Sequence, residues 1–150
     1  MTHNRYKTLK TVLLAGLVGE VITMAYWTFF LLSNTFNIAF GNLDSEAFGF
    51  SALANVLGLL VLLVFIVFFV IHFRHYRTLT AQETSLKKTS NMFSGHLVYG
   101  GIIFFLFFPS LVEGRLILNL TTNLEPLTIG IPYILSGFLG MATFKNSENT

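Results

Sequence analysis

Apolar residues in this chain neither alternate nor keep to one helical face. They come in long blocks, at about 11–32, 47–73, 92–112 and 126–144, with short polar stretches between them. Each block is close to the 20 residues that an α-helix needs to cross a bilayer. Between 47 and 73 there is no charged residue, and 56–70 is almost wholly Val, Leu, Ile and Phe. A surface helix of a soluble protein would carry polar residues on its outer face. The pattern predicts an all-α polytopic membrane protein: four transmembrane helices in a bundle, forming a single membrane domain over 1–150.

The first block follows Arg5, Lys7 and Lys10, as a secretory signal would. It is longer than a signal's apolar region and no small-residue cleavage site follows, so it is expected to be a retained span. Pro126 opens the fourth block, where a missing N–H costs a helix nothing. Pro109 is expected to kink or end the third helix. The polar stretch 78–90 reads as a loop. The apolar run Leu116–Leu120, between Glu113 and Glu125, is too short to span and reads as an interfacial turn. Asn119-Leu-Thr121 matches a glycosylation acceptor, with little weight at a site so near lipid.

Charge sets the orientation. Arg5, Lys7, Lys10, Arg74, Arg77, Lys87, Lys88 and Lys145 fall on one side of the predicted spans, and only Arg115 on the other. The positive-inside rule then puts both termini in the cytoplasm (N-in/C-in), in a bacterial inner membrane or its equivalent. Composition agrees: 53% of residues are hydrophobic, 11% are charged and mean hydropathy is +0.69. Such a chain has membrane lipid as its first partner, and a net charge of +2 gives no ground for a nucleic-acid partner. The absence of cysteine excludes disulfides, thiolate metal sites and cysteine nucleophiles.

Against this background polar residues inside the blocks stand out. Glu20 lies about nine residues into the first span, near the bilayer centre, where a charge costs at least about 2.5 kcal/mol and so faces protein or water. Tyr99, Tyr133 and Ser136 sit at depths that make them its expected intramembrane partners. Ala15, Gly16 and Gly19 in the first span, Gly100 and Gly101 in the third, and Gly137 and Gly140 in the fourth offer small surfaces for close helix packing. They predict that spans one, three and four pack together while the second faces more lipid.

His72 and His75 lie three apart on one face of the second span, and His96 begins the third. They read first as interfacial anchors beside Arg74 and Arg77, and second as a metal or haem site to which Glu83 adds an oxygen. No metalloprotease, nucleophile-elbow, P-loop or dinucleotide-binding motif is present, so nothing supports an enzyme. The expected function is that of a small accessory or structural subunit packed against a larger membrane protein complex, or against its own copies. The alternative is a proton- or cation-coupled transporter or channel using Glu20, and a further one is a membrane redox protein with haem or metal at His72, His75 and His96.

Overall fold

The computed structural model describes residues 3–80, 86–112 and 126–145. Among the described residues only helices are present: α1 (His3–Phe40), α2 (Ser45–Thr80), α3 (Leu86–Val112), a π-helical turn (Pro126–Gly130) and α4 (Ile131–Lys145). Two of them, α1 over Lys7–Phe40 and α2 over Ser45–Leu79, are long and apolar enough to cross a membrane. The apolar stretches of the other two, Asn91–Leu106 and Leu127–Ala142, are shorter. The expected interfacial turn with Arg115, and Glu83, lie outside the described residues.

The helices outrun the hydrophobic blocks. At 38 and 36 residues, α1 and α2 measure roughly 57 and 54 Å at 1.5 Å per residue, well beyond a hydrocarbon core of about 30 Å. The loop expected between them shrinks to residues 41–44. Asp44 makes that possible by capping α2, its Oδ1 accepting the Ala47 N–H at 2.7 Å and thereby satisfying a donor that the helix leaves open. Just before this turn a polar clasp joins the two helices: Asn34 donates to the Ser51 carbonyl and to Asn55 Oδ1, and Asn55 donates to Thr35 Oγ1. Helix α3 starts at Leu86, inside the stretch expected to be loop, and its backbone continues through Pro109 to Val112.

Packing follows the small residues, with two corrections. Helix α1 turns one stripe inward: Leu9, Leu13, Gly16, Leu17, Glu20 and Thr23. A Cβ on Gly16 would meet the Tyr133 ring at 2.9 Å, and one on Gly19 would strike the Thr128 carbonyl. Gly100 faces Ile134 and Gly130 of the α4 region, Gly137 faces Leu97, and Gly140 lies against the Phe93 ring. Ala15, by contrast, is exposed, because the buried stripe runs through its neighbour Gly16. Gly101 likewise faces open space, since adjacent helical residues point about 100° apart and Gly100 already occupies the α4 side. Gly101 instead lines a shallow apolar groove with Leu97, Val98, Ile102, Phe105 and Leu106.

The core runs from Leu9, Leu13, Leu79 and Phe93 at one end to Phe65, Ile103 and Ile129. Helix α2 pairs with α1, α3 pairs with α4, and α1 and α4 join the two pairs. Helix α2 keeps Leu53, Val56, Leu60, Leu63 and Val67 exposed, each more than half accessible, so its outward face is apolar for several turns. The Gly19–Thr128 contact fixes the level of α4: its opening turn lies beside Gly19, and α1 continues for about 20 residues beyond it.

Candidate functional site

The buried polar side chains gather at one place. Glu20 has no accessible surface, His72 is 3% exposed, and His96 and Ser136 are equally enclosed. One residue comes from α1, one from α2, one from α3 and one from α4. Each is held by packing that needs small neighbours: Gly16 admits the Tyr133 ring, and Gly100 and Gly137 bring α3 close to α4.

At the centre, His72 Nδ1 lies 2.7 Å from Glu20 Oε1. A carboxyl group and an imidazole at that distance are hydrogen-bonded, and such a bond is stronger in apolar surroundings than in water. Aromatic rings enclose the pair. His72 lies 4.1 Å from the Tyr133 ring and 4.7 Å from the Tyr99 ring, centroid to centroid, while Phe68 stacks on Tyr99 at 4.5 Å. Both phenols lie near enough to the Glu20 carboxylate to interact with its charge. Both hydroxyls are also close enough to hydrogen-bond with that carboxyl group, though short of strict bond geometry.

A second set of bonds lies between this centre and the end of the bundle where Lys7, Lys10, Arg74 and Arg77 sit, in ring contact with His72. His96 Nε2 lies 3.2 Å from His75 Nδ1, and His96 Nδ1 lies 3.1 Å from Ser136 Oγ. His75 is half-buried, one turn of α2 from His72. Nearby, the Lys10 ammonium lies 5.9 Å from the centroid of the Tyr76 ring.

The structure thus brings Glu20, Tyr99 and Tyr133 together around His72, and places Ser136 on His96. The interfacial reading of His72 does not hold, because the side chain is buried inside the bundle and bonded to α1 rather than exposed at a headgroup level. As a metal set, His72, His75 and His96 do not converge: their nitrogens are directed at Glu20, Ser136 and one another. Among the described residues no three His, Cys, Asp or Glu side chains are placed to hold a metal ion.

Two features escaped the sequence reading. One is the Glu20–His72 bond, which depth counted from each block's edge placed at two different levels. Counting from the polar clasp would have found it, since Glu20 lies 14 residues before Asn34 and His72 lies 17 after Asn55, a mismatch of less than one turn. The other is Phe68, indistinguishable in sequence from the phenylalanines around it.

Fold and site together define a helical protein with two helices able to cross a membrane and a carboxylate–imidazole centre buried among aromatic rings. No family model matches the chain, and neither a curated protein nor a solved structure does.

Proposed function

We propose that this chain is a small multi-pass membrane protein, with α1 and α2 as its full spans and both termini cytoplasmic, that moves protons, or a solute coupled to them, by loading and unloading Glu20. One observation carries the reading: a fully buried Glu20 is faced by His72 from α2, Tyr99 from α3 and Tyr133 from α4. A carboxyl group with proton-bearing neighbours on three other helices fits a centre whose hydrogen bonds change as it works. A proton arriving at Oε2 gives a neutral acid able to donate to a phenol oxygen, and one leaving restores a carboxylate that accepts from both phenols.

Orientation is supported by Lys7, Lys10, Arg74 and Arg77, which share one end of the α1–α2 hairpin. With the hydrocarbon between Lys10 and the Asn34 clasp, Glu20 lies near mid-membrane, and so does the opening turn of α4. A helix that begins beside an intramembrane ionisable residue is an arrangement that transporters use around their binding sites.

Proton flux into proteoliposomes, read by an enclosed pH dye under an imposed potential, tests the reading. The wild type is expected to conduct, and Glu20→Gln to lose conduction while assembling normally. A wild type with no flux, alone or with candidate substrates, would overturn it.

The apolar outward face of α2, together with the length of α1 and α2 beyond the start of α4, supports a second reading. A larger membrane protein, or a second copy of this chain, covers that surface, and the chain acts as an accessory subunit. Purification in native nanodiscs separates the two, because an accessory subunit brings a stoichiometric partner with it.

A further inference from the structure

Among the described residues, the histidines near Glu20 lie in one direction only. Towards the basic end come His72, then His96, then half-buried His75, with Tyr76 and Lys10 beyond. In the other direction α1 offers Met24, Trp27 and Leu31, α2 offers Val61 and Phe65, α3 offers Ile103 and α4 offers Ile129. From residue 21 to residue 43 of α1 the only titratable side chain is Tyr26, which packs edge-on against Trp27, and α2 has none from 47 to 71.

We infer that protons reach Glu20 from the basic end, handed along His75, His96 and His72. The inference rests on the reading of Glu20 as a proton-binding group. His96 is placed as the moving member, its ring centroid 5.4 Å from that of His75 and 5.1 Å from that of His72. A protonated His75 gives its Nδ1 proton to His96 Nε2 and becomes neutral. His96, now carrying a proton on both nitrogens, turns about its Cβ–Cγ bond and exchanges its bond to His75 for one to His72. His72 takes that proton on Nε2 and releases the one on Nδ1 to Glu20, so one proton has moved and the carboxyl is neutral. Ser136, bonded to His96 Nδ1, is a positioning residue that holds Nε2 towards His75. Tyr99 and Tyr133 face the same centre from α3 and α4 and complete its set of titratable groups.

The test uses full-length protein in proteoliposomes of known orientation and a membrane-permeant carbodiimide, which modifies a carboxyl only while it is protonated. Modification of Glu20 is read by peptide mass spectrometry, with the pH on each side varied alone. The rate is expected to fall as pH rises on the basic-end side, by at most about tenfold per pH unit, and to depend much less on the other side. His96→Gln and His75→Gln are expected to lose this one-sided dependence, and His75→Gln, at a half-buried position, decides the matter if His96→Gln fails to assemble. Modification that follows the opposite side, or one-sided dependence that survives in both variants, overturns the route. Flux that depends on Glu20 with modification indifferent to side overturns the route and leaves the transport reading standing. One-sided modification without any flux does the reverse.

Discussion

Glu20 and His72 each remove the other's burial penalty, so changing one alone should be far worse than changing both. Leaving a single member of a buried charged pair costs about 3–5 kcal/mol, whereas replacing the pair by apolar groups of similar size is often neutral or stabilising. Glu20→Leu and His72→Leu are each expected to lower the unfolding midpoint in detergent sharply, and the double variant to recover most of the loss. Additive losses in the double variant would show that the two side chains do not act as a pair. The existence of a buried carboxylate was legible from one glutamate in an apolar block. Its partner was not, because hydropathy marks where apolar residues begin and end, while pairing depends on the register of two helices whose ends lie outside those blocks.

Helices in this bundle approach closely only where a glycine faces its neighbour, and the direction of each glycine decides its worth. Gly140 abuts the fully buried Phe93 ring, so Gly140→Ala is expected to cost about 1–3 kcal/mol through overpacking. Gly101→Ala meets open space and should be neutral, or stabilising by up to about 1 kcal/mol from helix propensity. Thermal unfolding of the two variants side by side checks the contrast, and equal effects would refute the packing. At the far end of the hairpin, Asn34→Ala removes bonds to both Ser51 and Asn55 and is expected to cost about 1 kcal/mol for each net bond lost. The sequence carried the small-residue pattern but not its phase: Ala15 and Gly16, like Gly100 and Gly101, are equivalent in a composition count and sit about 100° apart on a helix. The clasp was illegible for a different reason, since Asn34 and Thr35 lie in a stretch whose polarity suits a loop as well as a helix end, and Asn55 is a single polar residue inside an apolar block.

For the molecule as a whole, the proposed topology is directly testable because the chain has no cysteine to remove first. Single cysteines placed at Lys7 and Arg77 are expected to react with an impermeant thiol reagent from the cytoplasmic side, and one at Leu43 from the other. Labelling of Arg77 and Leu43 positions from the same side would refute the hairpin's orientation. The all-helical character and the two long helices were readable from block length and charge segregation. That the blocks understate α1 and α2 was not, because backbone hydrogen bonds carry a helix on through polar residues that hydropathy marks as its end.

The four-residue turn at 41–44 also bears on how the protein is made. Helices so tightly joined leave the ribosome one directly after the other and can enter the bilayer as a single unit, long before α4 has been synthesised. Glu20, prohibitive for a lone emerging segment, meets His72 within that unit. The counterpart of Glu20 thus lies on the segment synthesised directly after its own, and the residues of α3 and α4 that complete the site come later in the chain.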